Sequence, residues 1–155
     1  METTLVLVKP DGVQRRLVGR IVARFEEKGL QVVGLKLVTL PRPLLEKHYG
    51  AHRGKPFYEG LVTYMASSPV VAVALRGKGA VAVVRKMMGA TFGSRAEPGT
   101  IRGDFAISDG YNLVHGSDST ESAEREVSLF FGPGEIQEWT PGDHAWVYDS
   151  ADGVR

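Results

Sequence analysis

The order of the apolar segments constrains the fold of this chain more than any other feature of its sequence. Short runs of aliphatic and β-branched residues, typical of buried strands, alternate with segments whose apolar residues recur at helical spacing. The predicted strands span 4–8, 32–40, 70–75 and 113–115. The order β-α-β-(αα)-β-α-β-α contains the βαββαβ arrangement of a ferredoxin-like sandwich. We therefore expect an α/β sandwich of the α+β type, in which helices cover a four-stranded antiparallel sheet.

Helical periodicity predicts where the connecting helices lie. They fall within 17–25, 44–49, 57–65, 80–88 and 119–130. Asp118 or Ser119 can cap the last helix. Residues 91–110 have no clear periodicity, so we predict a long irregular loop, which in a compact domain is usually functional. We interpret Pro10-Asp11-Gly12 as a turn that follows the first strand.

Length and composition limit the class of protein. The 155 residues suffice for one domain with a hydrophobic core, so we predict a single domain over 1–155 in which about 149–155 form a frayed tail. The absence of cysteine excludes disulfides and thiolate metal sites and favours a reducing compartment. No apolar run approaches the ~20 residues that span a bilayer, and the first residues lack signal-peptide features, so we expect a cytoplasmic protein. A net charge of +1 argues against a broad nucleic-acid-binding surface.

His115 is the strongest candidate for a catalytic residue. It lies where an apolar segment ends and a helix is predicted to begin, with Asn112 three residues before it. A strand end holds a side chain rigidly, and a nearby helix start favours the binding of an anion. Glu126 lies on the flank of the next helix's inward face, where it could bind one ring nitrogen and leave the other as a nucleophile. Alternatively, His115 is a structural or exposed histidine and Glu126 a surface residue.

Three isolated cations lie where phosphate-binding groups are common. Lys9 ends the first predicted strand, Arg85 lies beside the apolar face of a helix, and Arg102 lies in the predicted loop. The sequence has no G-x-x-x-x-G-K-[ST] motif, so separate residues must build any phosphate site. Taken singly, each cation is also compatible with a solvated surface charge.

Two further pairs of residues have both a binding interpretation and a plainer one. His48 and His52 stand four apart on a predicted helix, a spacing that can bind a metal, but no other ligands accompany them, so we predict no metal site there. Phe57 and Leu61 have the spacing of ordinary core residues. The polar residues around Phe57 nevertheless indicate a position near the surface, where an aromatic ring can stack on a nucleobase.

Four blocks of this sequence resemble the nucleoside diphosphate kinase family. The most specific block, Asn112-Leu113-Val114-His115-Gly116-Ser117-Asp118-Ser119, is similar to the active-site signature of that family. The other blocks are Lys9-Pro10-Asp11-Gly12-Val13, the segment from Tyr49 to Phe57, and Pro98-Gly99-Thr100-Ile101-Arg102-Gly103-Asp104-Phe105. The similarity runs in register over about 4–148, which is nearly the whole chain.

The resemblance implies a ping-pong kinase. His115 would take the γ-phosphoryl group of a nucleoside triphosphate, commonly ATP, as phosphohistidine and give it to a nucleoside diphosphate. Glu126, assisted by Ser117, would orient the imidazole. A stacking aromatic ring tolerates any base, so we expect broad specificity for base and sugar. The remaining roles implied by the family are Lys9 at the transferred phosphoryl group and the ribose, Asn112 at the ribose, Arg85, Thr91 and Arg102 at the phosphates, Phe57 and Leu61 at the base, and Tyr49 and His52 beside His115.

The resemblance also implies a cofactor and an assembly. Mg²⁺ would bind to the nucleotide phosphates with no direct protein ligand, and Asp118 could reach it through water. The segment 139–148 is similar to the long tails of hexameric members, which favours a homohexamer over a tetramer. After Thr91 the family usually has Asn-Pro, whereas this chain has Phe92-Gly93. Without the proline, we expect this loop, which takes part in subunit contacts in the family, to be more flexible.

Two alternatives belong to other functional classes. An RNA- or single-strand-binding module on the same sandwich would need aromatic residues on its sheet face, whereas the predicted strands here are aliphatic. An inactive family member with a structural or regulatory role would be expected to lack functional residues. Here the residues that carry the resemblance are all present.

Overall fold

The computed structural model describes residues 1–154 and contains a four-stranded antiparallel sheet. Its strands are β1 Glu2–Val8, β2 Gln31–Val38, β3 Val70–Gly77 and β4 Val114–Gly116. Their order across the sheet is β2-β3-β1-β4, and every neighbouring pair is antiparallel. With helices between the strands, this arrangement is the ferredoxin-like sandwich, so the fold prediction is confirmed.

Helices connect the strands and extend beyond the last one. The α-helices of residues 1–154 are α1 Pro10–Gln14, α2 Val18–Glu27, α3 Arg42–His48, α4 Tyr58–Ala66, α5 Ala80–Met88, α6 Ile101–Phe105, α7 Thr120–Phe130 and α8 His144–Val147. Short 3₁₀ helices lie at Gly50–His52, Gly93–Arg95 and Ser150–Asp152.

The side chains of the central strands alternate between two hydrophobic cores, one on each face of the sheet. Val6 and Val8 join the core that includes residues of α2, α5 and α6, whereas Leu5 and Leu7 join the core that includes residues of α3, α4 and α7. All four side chains are fully buried, and burying each contributes roughly 1.5–3 kcal/mol. Helices thus cover both faces of β1 and β3, whereas an RNA-binding module would need aromatic residues on a sheet face.

The prediction of an irregular loop over 91–110 is wrong in part, because this segment contains a 3₁₀ helix and α6. Thr100 caps α6, and its hydroxyl accepts a hydrogen bond from the Gly103 N–H at 3.0 Å. The predicted turn after the first strand is also helical. It forms α1, which begins at Pro10 because the fixed φ of proline suits the first helical position. Helices of 5 residues are too short for apolar periodicity to reveal them.

Most predicted elements differ from the observed ones by a few residues at their ends, and the last strand and the C-terminal tail show why. The last strand covers 114–116 rather than 113–115, because Leu113 has a φ of +70°, outside the strand region. The predicted frayed tail contains a 3₁₀ helix capped by the Asp149 carboxylate, and Lys78 forms an ion pair with Asp152 at 2.7 Å. Arg155 lies outside the described residues. Within residues 1–154, the helices are all too short or too polar to cross a membrane.

Candidate active site

A cleft of about 450 Å³ opens where β1 ends and β4 runs beside it. Phe57 lies outside the cleft lining, with its ring centroid 5.2 Å from that of His52. Ser117 is fully buried and bonds to Glu126. The other residues selected from the sequence all line the cleft: Lys9, Tyr49, His52, Leu61, Arg85, Thr91, Arg102, Asn112, His115, Asp118 and Glu126.

A buried carboxylate fixes the imidazole of His115 from one side. Nε2 of His115 bonds to Oε1 of Glu126 at 2.7 Å, and the Ser117 hydroxyl donates to Oε2 of Glu126 at 3.0 Å. Burial alone would raise the pKa of Glu126, but its interactions with His115, His48 and Ser117 together lower that pKa below its usual value. An ionised carboxylate only accepts hydrogen bonds. The Nε2 atom therefore carries the proton, and the lone pair of Nδ1 is free.

His48 packs against this pair as an uncharged ring. Its centroid lies 4.8 Å from that of His115 in an edge-on arrangement, and its Nδ1 lies 3.9 Å from Oε1 of Glu126. Burial lowers the pKa of His48 to about 3, and its neighbour His115 contributes in the same direction. His48 is therefore neutral near pH 7. Among residues 1–154, neither of its ring nitrogens has a hydrogen-bond partner.

Lys9 and Asn112 form a polar pair in the lining of the same cleft. The Lys9 ammonium donates to Oδ1 of Asn112 at 2.7 Å, and Nδ2 of Asn112 donates to the Thr91 carbonyl at 2.8 Å. Burial lowers the pKa of Lys9 to about 8, with a further contribution from the charge of Arg102 and an opposing one from Asp11. An anion bound beside Lys9 would favour the charged ammonium and offset this effect.

Arg102 combines a structural position with a charge directed at the cleft. Its side chain is buried and donates to the carbonyls of Asn112, Gly89 and Val114 at 3.2, 3.1 and 2.7 Å. A guanidinium has five N–H donors, so donors remain for a ligand after these bonds. Burial lowers the pKa of Arg102 to about 10, and the charge of Arg85 contributes in the same direction, yet Arg102 stays cationic near pH 7.

Where Tyr49 and Leu61 line the cleft, an exposed aromatic ring lies beside it. Phe57 precedes α4 and is 51 % exposed, in agreement with the position expected from its polar neighbours. The Lys55 ammonium lies 5.8 Å from the centre of this ring. Leu61 lines the cleft one helical turn further along α4, and Tyr49 is buried beside His52. The Phe57 ring offers a planar apolar surface next to a cationic pocket.

The sequence profile of the family described as "Nucleoside diphosphate kinase" matches residues 2–136. The chain belongs to the nucleoside diphosphate kinase family.

Individual relatives agree with this assignment. The nucleoside diphosphate kinase of Synechococcus elongatus is 52 % identical over 149 residues, which are 96 % of this chain and 100 % of the relative. The nucleoside diphosphate kinase of Pelotomaculum thermopropionicum is 55 % identical with the same coverage. The solved structure of a halophilic nucleoside diphosphate kinase from Halobacterium salinarum, in complex with CDP, is 49 % identical. It superimposes with a TM-score of 0.93 over 96 % of this chain and 99 % of that chain.

The activity is therefore that of a nucleoside diphosphate kinase, a phosphotransferase whose substrates are nucleotides. The enzyme moves the terminal phosphoryl group of a nucleoside triphosphate to a nucleoside diphosphate. A cleft lined by cations, with an exposed aromatic ring beside it, suits a ligand that has phosphates at one end and a base at the other.

Kinases of this kind generally use a divalent metal, and the cleft suits one that is held mainly by the nucleotide. A hydrogen bond from Ser122 and the charge of Arg85 help to lower the pKa of Asp118, so its carboxylate is ionised. Mg²⁺ prefers oxygen ligands, keeps several waters and is usually held by one or two carboxylates together with phosphates. His48, His115 and Glu126 also offer ligand atoms within 4.8 Å of one another. Two imidazoles suit softer ions than Mg²⁺.

His48 lines the site and Asp11 lies just behind it, and the sequence alone assigned neither residue a role in this nucleoside diphosphate kinase site. His48 follows Leu44 and Leu45 at helical spacing, which puts it on the inward face of α3, and a polar residue on such a face is a signal of function. His52, its predicted partner, is absent from the cluster that His48 forms with His115 and Glu126. Asp11, interpreted above as a turn residue, accepts a hydrogen bond from the backbone N–H of Leu113.

Proposed function

We propose that His115 carries the phosphoryl group between the two nucleotides as a phosphohistidine. The observation that best supports this role is the 2.7 Å hydrogen bond between Nε2 and Glu126. Because Nε2 keeps its proton, the Nδ1 lone pair attacks the γ-phosphorus, the bond to the bridging oxygen breaks, and a nucleoside diphosphate leaves. In the second half-reaction, a terminal oxygen of another nucleoside diphosphate attacks the phosphohistidine. The N–P bond then breaks, and Nδ1 recovers its lone pair.

The cations of the cleft would provide most of the catalytic effect. Phosphoryl transfer has a loose transition state with charge spread over the phosphate oxygens, so positioning and electrostatic stabilisation dominate. We assign Lys9 to the transferred group and Arg85 and Arg102 to the β- and γ-phosphates, with the Thr91 hydroxyl as an additional donor. Because these residues line the cleft around His115, the arrangement needs no Gly-rich loop.

The part of the cleft beside Phe57 would bind the nucleoside. Phe57 would stack on the base with Leu61 near it, while Asn112 and Lys9 would bind the ribose hydroxyls. Tyr49 and His52 would line the space between the base and His115. Stacking is worth ~1–3 kcal/mol per base and depends little on base identity. We therefore propose broad specificity for purines and pyrimidines, and for ribose and deoxyribose.

We propose Mg²⁺ as the divalent cofactor. The nucleotide phosphates would supply most of its ligands, and the Asp118 carboxylate would bind it through a water molecule. When bound, the ion would neutralise charge on the phosphate oxygens during transfer. The cations of the chain bind those same oxygens, and Glu126 holds the proton on Nε2 of His115.

We also propose that the enzyme is a single-domain cytoplasmic homohexamer. Support for self-association comes from β2, an edge strand of the sheet on which Leu35 and Leu37 are 55 % and 65 % exposed. We favour a hexamer over a tetramer because the segment 139–148 resembles the tails of long-tailed family members. Phe92 is half exposed, and Arg95 lies 5.5 Å from its ring centre. The departure from the family's Asn-Pro at Phe92-Gly93 would therefore alter contacts of this loop without touching His115. Sedimentation velocity measures the assembly directly.

Labelling with γ-labelled ATP tests the mechanism. We expect a protein-bound label that is labile in acid, stable in base and discharged by any nucleoside diphosphate. The His115→Ala variant should acquire no label. His144→Ala is the matched control, because His144 lies in the C-terminal segment, where it bonds to the Val154 carbonyl, and it should label normally. Label retained on His115→Ala, or label stable in acid, would contradict the phosphohistidine.

A further inference from the structure

The backbone at Leu113 adopts a strained conformation between Asn112 and Val114, two residues that line the active-site cleft. Its φ is +70°, which bulky L-residues rarely adopt, and its side chain is fully buried. The Val114 N–H donates to the Asn112 carbonyl at 2.8 Å, which closes a three-residue γ-turn centred on Leu113. A γ-turn with a positive central φ is the rarer and more strained of the two forms. Such strain persists only where the surrounding structure imposes it.

Asp11 and Tyr64 supply part of that imposed structure. Oδ2 of Asp11 accepts the Leu113 N–H at 3.1 Å. The Tyr64 hydroxyl donates to Oδ1 of Asp11 at 2.6 Å and accepts the Asp11 N–H at 3.1 Å. Burial and the bond to Asp11 both raise the pKa of Tyr64, so its hydroxyl remains a donor. The carboxylate of Asp11 is therefore held in one orientation and binds the central N–H of the turn.

The turn connects two groups that the proposed reaction requires. Asn112 precedes Leu113 and accepts the hydrogen bond from the Lys9 ammonium, while His115 follows two residues after Leu113. The Leu113 carbonyl also accepts a hydrogen bond from the backbone N–H of Lys9 at 2.8 Å. Arg102 donates to the carbonyls of Asn112 and Val114, on either side of Leu113. The shape of this turn thus sets the distance between the cations and the imidazole.

We propose that Asp11 is a positioning residue for phosphoryl transfer, acting with Tyr64 to hold the γ-turn at Leu113. This inference rests on the proposed function, because it assumes that His115 receives the phosphoryl group. An ordinary turn residue after β1 would affect only folding. A positioning residue affects the rate at which His115 is phosphorylated in folded, nucleotide-bound enzyme.

Rapid-quench measurement of His115 phosphorylation, with nucleotide affinity and thermal unfolding measured in parallel, separates these roles. Asp11→Ala should lower the phosphorylation rate constant about 10- to 100-fold, the loss expected when a reacting group shifts by about 1 Å. Nucleotide affinity should change by less than about threefold, because a loss confined to the transition state appears in the rate and not in binding. Asp149→Ala is the matched control. It removes an Asp side chain that accepts backbone N–H groups at 2.7 and 3.2 Å but lies in the C-terminal segment, and it should keep the wild-type rate.

Two milder variants keep the test decisive if Asp11→Ala folds poorly. Asp11→Asn retains one oxygen that can accept the Leu113 N–H and should lose less rate than Asp11→Ala. Tyr64→Phe removes only the hydroxyl that orients Asp11 and should slow phosphorylation in the same direction. If the two residues act as one unit, adding Tyr64→Phe to Asp11→Ala should cause little further loss.

Failure of the positioning role and failure of the phosphohistidine mechanism give different results. A wild-type phosphorylation rate in folded Asp11→Ala and Tyr64→Phe, with or without a lower unfolding temperature, would overturn the positioning role and leave phosphorylation of His115 intact. Equal losses in rate and affinity would overturn it as well, because they would indicate a damaged nucleotide site. Failure of the proposed function would appear instead in the His115→Ala variant, as protein-bound label that persists.

Discussion

Replacing Lys9 with methionine should make the nucleotide-free protein more stable near pH 7. The Lys9 ammonium is mostly buried, and its pKa falls from 10.5 in an unfolded chain to about 8 in the fold. One pKa unit corresponds to 1.36 kcal/mol, so the charged lysine costs the fold about 3 kcal/mol below pH 8. Methionine fills a similar volume without the charge.

One lost hydrogen bond opposes this gain. Lys9 donates to Oδ1 of Asn112 at 2.7 Å, and Asn112 is 6 % exposed. Leaving a buried acceptor without a donor costs about 1–3 kcal/mol. We therefore expect Lys9→Met to raise the free energy of unfolding at pH 7 by up to about 2 kcal/mol, combining the charge term with this hydrogen-bond term.

The pH dependence distinguishes this explanation from improved packing. Between pH 8 and 10.5 the unfolded wild-type chain binds more protons at Lys9 than the folded protein does, so wild-type stability rises with pH relative to the variant. The advantage of Lys9→Met is fully present below pH 8 and is lost as the pH approaches 10.5. At that pH the variant should be the less stable protein, because only the lost hydrogen bond remains.

Denaturant unfolding at several pH values between 7 and 10.5, at one protomer concentration, measures this difference, because an oligomer's stability depends on concentration. Lys86→Met is the control, since Lys86 is an exposed lysine of α5, and its effect should be small at every pH. A stability difference between Lys9→Met and wild type that does not change with pH would refute the reasoning. A buried cation that destabilises the empty cleft is also one that a nucleotide's phosphates can stabilise.

Two further predictions concern the residues around the substrate. Glu126→Gln keeps the shape of the side chain but no longer fixes the proton on Nε2 of His115, so phosphohistidine formation in a rapid-quench assay should slow about 10²-fold or more. Nucleotide affinity measured by calorimetry should stay near wild type, and a large loss of affinity would contradict the orienting role. Phe57→Ala removes a stacking ring worth ~1–3 kcal/mol, so KM should rise roughly 5- to 150-fold. The increase should be similar for all bases, whereas a loss confined to one base would argue for base-specific contacts instead.

Apolar patterning was sufficient to predict the sheet and the longer helices, because the spacing of apolar residues along a regular element shows which of its side chains are buried. In β1, Leu5 and Leu7 enter one core while Val6 and Val8 enter the other, so the unbroken apolar run is itself the mark of a central strand. The α1 and α6 helices were not predicted, because each has only 5 residues and shows no apolar periodicity. Their positions depend on a proline and a threonine at the first turn, which also occur in ordinary turns.

The sequence by itself determined the order of strands and helices along the chain, the family resemblance and the candidate residues His115, Glu126, Lys9 and Arg102, because residue type and spacing express these properties. Only the tertiary structure decided how those residues act on one another. The Lys9–Asn112 and Asp11–Leu113 hydrogen bonds join residues 103 and 102 positions apart. The lowered pKa of Lys9, the neutrality of His48 and the strained turn at Leu113 all arise from burial and from such long-range contacts. No local sequence pattern encodes them, since desolvation and strain depend on what the folded chain packs around each group.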